Sequence, residues 1–323
     1  MRSGLDTVVH KGRDDRPVGI FIHGLGVDRD IWIDPMNTKI FAKNVPLKIF
    51  AASKPRPTCQ YARKISIGTI PERINNLWAA LRDDGFSIIC WSQGRPAGPI
   101  MVAAEELGKV VSRAKRIFPG KPIALIGHSR GGLVARKFME RKRAGIKALI
   151  TISTPHAGSS IALLGKYLKP FSAVLKNVLP KEAHGTVSRT IKNVADLLKG
   201  SALKELLPDS VFFENLRDSF QKGVSYLSFG GTEPRFFTVY MCKRTGRGLH
   251  PRPLLSIPDS LLKITPSFLI TDEITPGKGD GLVSAKSSLM PWSSEHHNIR
   301  ANHVSIMWDR KVIKSTLGVM KAI

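Results

Sequence analysis

Carboxylates are in short supply in this sequence. Asp and Glu number 25 against 50 Lys and Arg, which leaves a net charge of +25. A field of that size draws polyanions and anionic surfaces, and it is silent about fold. Cysteine is also sparse. Cys59, Cys90 and Cys242 form an odd set with no close pair, which is not a disulfide framework and fits a reducing compartment. Cys90 lies in the apolar run from Phe86 to Trp91 and reads as a core residue. No run reaches the roughly 18–20 apolar residues that a bilayer-spanning helix needs. The stretch Met1 to Arg16 is polar and charged and lacks an apolar signal core. The expected location is therefore the cytoplasm, or outside the cell after loss of a leader. Nucleic-acid signatures are missing too: there is no RNP-like aromatic pattern, no zinc-finger spacing and no recognition-helix pattern. The basic residues are scattered, with only short clusters such as Arg141-Lys142-Arg143. A solvated cationic surface is expected, with no nucleic-acid partner. An anionic membrane or lipid surface is a hypothesis that the charge alone motivates.

What is present is an alternation of short apolar runs with longer amphipathic ones, the pattern of a mostly parallel sheet covered by helices. Strands are predicted at Val18–Ile22, Leu47–Ala51, Phe86–Trp91, Ile123–Ile126, Ala148–Ile152 and Phe236–Met241, with another near Ser267–Thr271. Helices are predicted at Pro71–Asp84, Pro99–Phe118 and Leu133–Lys142, and after His303. The segment 159–228 reads as consecutive helices with no strand between them. It is expected to be a helical cap, or lid, inserted into an α/β core made of 1–158 and 229–323. Ordinary sheet-covering helices are the alternative.

The densest chemical signal is Ile123-Ala-Leu-Ile-Gly127-His128-Ser129-Arg130-Gly131-Gly132. It is G-x-S-x-G directly after an apolar strand and before a helical pattern, the context in which a serine is lifted above a sheet at a strained strand-to-helix turn. Gly127 and Gly131 are needed there because side chains would collide with the neighbouring strand and helix. Upstream, Val18-Gly-Ile-Phe-Ile-His23-Gly24-Leu25-Gly26 is a strand running into a glycine-rich loop. Acyl transfer builds a negative oxygen that two backbone N–H groups must already face. Those of Leu25 and Arg130 are the candidates, with Gly24 and Gly26 permitting close approach and His23 orienting the loop.

A serine hydroxyl needs a base, and the chain order Ser, acid, His restricts the search. Of nine histidines, His184, His250, His296, His297 and His303 lie well past Ser129. His296 and His297 sit in a polar run that reads as exposed loop. His303 precedes the final helical pattern and is the candidate base. Asp280, set between Gly279 and Gly281 and 23 residues before His303, is the candidate acid, with Asp272 and Glu273 as rivals.

Taken together, these segments resemble the bacterial triacylglycerol lipase and esterase families of the α/β-hydrolase superfamily. The likeness rests on His23-Gly-Leu-Gly26, Gly127-His-Ser-Arg-Gly131, Ile152-Ser-Thr-Pro-His-Ala-Gly-Ser159, Gly279-Asp-Gly-Leu-Val283 and Asn302-His303. It covers roughly residues 17–160 and 265–309. The resemblance implies an α/β-hydrolase fold, Ser129, Asp280 and His303 as triad, and Leu25 and Arg130 as oxyanion hole. It also implies carboxylic-ester hydrolysis through an acyl-enzyme with no cofactor. Many such lipases carry an Asp two residues after the base that binds calcium; here Ser305 stands there, and no metal is expected. The same triad would serve an acyltransferase, a phospholipase or a polyester hydrolase. A non-enzymatic cationic binding protein is the rival from another class.

Overall fold

The computed structural model describes residues 5–40, 45–51, 65–68, 70–161, 201–246, 248–262, 267 and 270–323. The strands are β1 (Thr7–His10), β2 (Val18–Ile22), β3 (Lys39–Ile40), β4 (Val45–Pro46), β5 (Ile65–Ile67), β6 (Ser87–Trp91), β7 (Ile123–His128), β8 (Ile146–Ile152), β9 (Ser225–Gly231), β10 (Phe237–Thr245), β11 (Gly248–Ile257) and β12 (Glu295–Ile299). Seven of them form one sheet in the order β1-β6-β2-β7-β8-β9-β12. All neighbours are parallel except β1, which runs antiparallel to β6 at the edge.

The inner strands are continuous apolar runs because both faces are covered. Along β2, Val18, Ile20 and Ile22 face one layer while Phe21 faces the other, and all are fully buried. The first layer is built by α3 (Ile100–Ile117) and α4 (Arg130–Phe138). In α3 the buried residues Ile100, Ala103, Ala104, Leu107, Val110, Val111 and Ala114 form one stripe at helical spacing, so the helix lies flat on the sheet. The second layer holds α1 (Asp30–Ile33), α2 (Leu77–Asp83) and the last helix, Arg310–Ala322. Asn76 caps α2 by accepting from the Ala79 N–H at 2.7 Å, and Asp309 caps the last helix through Lys311.

Several sequence expectations are corrected. Leu47–Ala51 is a 3₁₀ turn rather than a strand, its buried Leu47 and Phe50 serving as plugs under the second layer. Phe237–Thr245 is a strand, but it belongs to a separate antiparallel sheet, β11-β10-β5. Of the region near Ser267–Thr271, the described residues Ser267, Ile270 and Thr271 are not strand. Three strands of the main sheet, β1, β9 and β12, are not among the predicted ones. The run holding His296 and His297 is edge strand β12 rather than loop. Cys242 is disulfide-bonded, which the odd cysteine count did not suggest, while Cys90 is a free thiol buried in the core.

Most of the expected cap, 162–200, lies outside the described residues. Strand β9 begins at Ser225, inside the range assigned to the cap. The stretch from Ser201 to Val224 leans on the core: Leu206, Phe212 and Phe213 join the α3/α4 layer. Arg136 of α4 holds Asp218 through a two-pronged ion pair at 2.6 and 3.0 Å, with both side chains buried. The two ends of the excursion are clasped together. The Ser159 N–H donates to the Leu206 carbonyl at 2.7 Å, and a Cβ on Gly158 would come within 2.5 Å of the Pro208 backbone. Among the described residues no helix is long and apolar enough to cross a membrane.

Candidate active site

Strand β7 ends at His128, and α4 begins at Arg130. Ser129 between them has φ 54° and ψ −130°, a strained backbone that an L-residue adopts only where packing enforces it. The packing is visible at the flanking glycines. A Cβ on Gly127 would lie 2.6 Å from the Gly132 nitrogen, and one on Gly131 would lie 2.3 Å from the Ile22 carbonyl oxygen. The Ser129 N–H donates to the Ile152 carbonyl at 2.8 Å, which fixes the turn to β8. Gly24 stands directly against the serine, since a Cβ there would be 3.0 Å from Ser129 Cβ. The loop after β2 thus lies beside the turn, as its sequence suggested. Neither the Leu25 nor the Arg130 N–H donates to any described group. Among the described residues both are open donors, the state an anion site requires.

Asp280 and His303 are brought together. His303 Nδ1 donates to Asp280 Oδ2 at 2.9 Å, and both residues are buried. The other carboxylate oxygen accepts from the Leu282 and Val283 N–H groups at 2.9 and 2.7 Å. The His303 N–H donates to the Asp280 carbonyl at 2.9 Å. Since a carboxylate only accepts, the contact puts a proton on Nδ1, and in the neutral imidazole Nε2 then carries the lone pair. The glycines around Asp280 are enforced: a Cβ on Gly279 would meet the Asp272 and Glu273 backbone at 2.5 Å, and Gly281 has φ +100°. The rivals are otherwise occupied. Asp272 is an exposed partner of Lys278, and the buried Glu273 accepts from the Ser160 N–H at 2.7 Å. Among the other histidines, His296 bonds Ser228 and Asn298, His297 bonds Glu295, and His184 lies outside the described residues. The Ser129 hydroxyl bonds no described group, His303 included. Such contacts are often loose before substrate binds.

His128 links the serine turn to the base. Its Nε2 donates to the His303 carbonyl at 2.8 Å, and the two rings lie 4.9 Å apart. Burial first, and then His303, pushes its pKa down to about 3, so the ring is neutral. His23 is neutral for a similar reason, its pKa lowered to about 4 mainly by burial. Its Nε2 accepts from the Gln93 N–H at 2.9 Å, and its Nδ1 donates to the Gly24 carbonyl at 2.9 Å.

Sequence reasoning used only the backbone of Arg130, yet its side chain is buried and structural. One guanidinium nitrogen donates to Gln93 Oε1 at 2.6 Å and another to the Gly98 carbonyl. Gln93 in turn donates to the His23 carbonyl at 2.9 Å. Burial lowers the Arg130 pKa to about 10, with Glu205 and Glu106 opposing the shift. Gln93 was missed, and its signal was available: a lone polar amide just past the apolar strand β6. The Thr154–Ser159 segment braces the acid loop, because Ser159 Oγ donates to the Leu282 carbonyl at 2.6 Å and Ser287 Oγ accepts from the Ala157 N–H at 3.1 Å. Asn302 fastens the base loop by donating to the Phe50 and Arg235 carbonyls. Ser305 Oγ accepts from the Asn302 N–H at 3.1 Å. No cluster of three or more candidate metal ligands occurs among the described residues.

Comparison with known proteins agrees with this geometry at the level of fold. The family described as the PGAP1-like α/β domain matches residues 104–214, which include the serine turn. No curated protein matches in sequence. Among solved structures, the mature form of the Bacillus licheniformis lipase BlEst2 superposes with a TM-score of 0.58 at 16% identity, over 97% of each chain. Its propeptide form gives a TM-score of 0.54 at 15% identity, over 97% of this chain and 53% of that one. The mostly parallel sheet, its flanking helices and these neighbours show that the chain has the α/β-hydrolase fold.

Proposed function

We propose that this protein hydrolyses carboxylic esters through an acyl-enzyme, with Ser129 as nucleophile, His303 as base and Asp280 as the acid that orients it. One observation carries the reading. A buried carboxylate holds His303 Nδ1–H at 2.9 Å, freeing Nε2 to act as base, on a loop tied through His128 to the strained turn that bears Ser129.

The chemistry follows. His303 Nε2 takes the Ser129 proton as the oxygen attacks the ester carbonyl. The carbonyl oxygen, now negative, is received by the Leu25 and Arg130 N–H groups beside the N-terminus of α4. His303 returns the proton to the leaving alcohol, and the acyl-enzyme forms. A water then gives up a proton to the same Nε2 and attacks the acyl carbon, releasing the acid and regenerating Ser129. Asp280 stays ionised throughout and stabilises the imidazolium. No metal or cofactor enters this scheme.

The test is hydrolysis of a p-nitrophenyl ester series from acetate to palmitate by the parent and by Ser129→Ala. The parent is expected to cleave, and the variant to lose on the order of 10⁴-fold or more in kcat while remaining folded. Equal activity in both proteins, or none in either across the series, would overturn the reading. The chain-length optimum assigns the enzyme to short-chain esterases or to lipases.

A further inference from the structure

A two-stranded ribbon begins at the rim of the candidate site. Strands β10 and β11 pair from Phe237↔Ile257 to Thr245↔Gly248, and among the described residues β5 pairs with β10 from Val239 to Met241. Beyond Met241 four further residue pairs follow, about 14 Å of ribbon at 3.4 Å per residue; Cys242 in the first of them is buried and disulfide-bonded, while Lys243, Arg244 and Thr245 are exposed. At the tip, a Cβ on Gly246 or Gly248 would meet nothing within 4 Å. The root is at the site itself. The chain enters β10 from the carboxyl end of β9, the end of the sheet that carries Ser129. The Arg235 carbonyl accepts from Asn302, next to His303, and the Phe236 ring packs where a side chain on Gly281, next to Asp280, would stand.

The ribbon is cationic. From Phe237 to Ile257 it contains no Asp or Glu. Lys243, Arg244 and Arg252 are exposed, and no carboxylate pairs with any of them among the described residues. The register Lys243↔His250 and Met241↔Arg252 places Lys243 and Arg252 as diagonal neighbours on one face. Like charges so placed repel across a strand pair, a cost that an external anion removes. Half-buried Met241, Leu249 and Leu254 lie among the cations. Basic side chains interleaved with apolar ones suit the headgroup boundary of an anionic bilayer. Lys243 to Pro253 contains no Phe, Tyr or Trp, the large rings on which the bases of single-stranded nucleic acid stack.

We propose that the distal β10–β11 ribbon, through Lys243, Arg244 and Arg252, docks onto an anionic phospholipid surface and so turns the rim of the Ser129 site toward the membrane. The choice of lipid over nucleic acid leans on the ester-hydrolase reading, but docking is measured without turnover. Phosphatidylglycerol and phosphatidylcholine vesicles are sedimented with the parent, with Lys243→Gln/Arg244→Gln/Arg252→Gln, and with Arg116→Gln/Arg141→Gln/Lys147→Gln. The last three residues are exposed cations at the opposite end of the sheet.

The parent is expected to bind phosphatidylglycerol and not phosphatidylcholine. Its binding should weaken with added salt. The ribbon variant should lose on the order of 100-fold, near a factor of five per basic residue, with the control close to the parent. Hydrolysis of p-nitrophenyl acetate by the ribbon variant should match the parent, which also shows that it is folded. Equal losses in both triple variants, indifference to lipid charge, or salt-sensitive binding to duplex DNA but not to vesicles would overturn the proposal. If instead vesicle docking holds and esterase activity is absent, the hydrolase reading fails and the ribbon stands.

Discussion

At the scale of single residues, the site depends on two imidazoles that never gain a proton in the folded state near neutrality. His23 has its pKa at about 4 and His128 at about 3, both well below the usual 6.5. In the unfolded chain each titrates near 6.5, so between that value and about 4 the unfolded state binds more protons than the folded one. Stability is therefore complete above pH 6.5 and falls as the pH drops, by up to about 1.4 kcal/mol per pH unit for each ring. Urea melts between pH 7 and pH 5 should show this slope, and His128→Gln should make it shallower. The Arg130 side chain acts in the same neighbourhood through Gln93 and His23. Arg130→Met is expected to cost about 1–3 kcal/mol of stability by leaving Gln93 Oε1 unpaired in the interior. Because the loop that carries Leu25 then loosens, kcat should fall more than KM rises, which steady-state kinetics on a soluble ester will read.

At the scale of elements, two contacts decide how the helices meet the sheet. A Cβ on Gly132 would lie 2.1 Å from Thr154 Oγ1, so α4 can approach β8 only with glycine at that position. Gly132→Ala is expected to destabilise by about 1–3 kcal/mol through overpacking, visible in the thermal midpoint. The Arg136–Asp218 pair pins the stretch before β9 to α4. Asp218→Ala leaves a buried guanidinium without its carboxylate and should cost about 3–5 kcal/mol, more than any exposed pair would.

Legibility in the sequence followed the same contacts. Strands β2, β6, β7 and β8 were readable because burial on both faces writes an uninterrupted apolar run. The strained turn at Ser129, the loop beside it and the proximity of Asp280 to His303 were readable because close backbone approaches leave glycines in the sequence and the motifs keep a fixed order. Strand β12 was not, since Glu295-His-His-Asn is polar and only its pairing with β9 makes it a strand. Leu47–Ala51 misled for the converse reason: its apolar residues fill a layer as a turn. Gln93 and the buried guanidinium of Arg130 escaped because a polar side chain becomes structural only through partners distant in sequence.

At the scale of the whole molecule, the charge dominates. A net +25 repels itself in the compact state, and the ion pairs near the surface relieve little of it. Raising ionic strength from about 0.01 M to about 0.15 M shortens the screening length from about 30 Å to about 8 Å. The thermal midpoint should therefore rise with salt over this range, while attachment to anionic vesicles weakens. Calorimetry and sedimentation in the same buffers would show the two trends running in opposite directions.

The clasp between Ser159 and Leu206 has a consequence of another kind. Strands β8 and β9 are direct neighbours, and the chain that leaves one and returns to the other is pinched shut where it departs. With its two ends held together between described residues, a change of sequence inside this excursion is expected to leave the register of β8 and β9 as it is, which the thermal midpoint of a variant with an altered interval would read. The Ser159–Leu206 clasp is thus a natural hinge-post at which an engineer would join foreign sequence to this sheet.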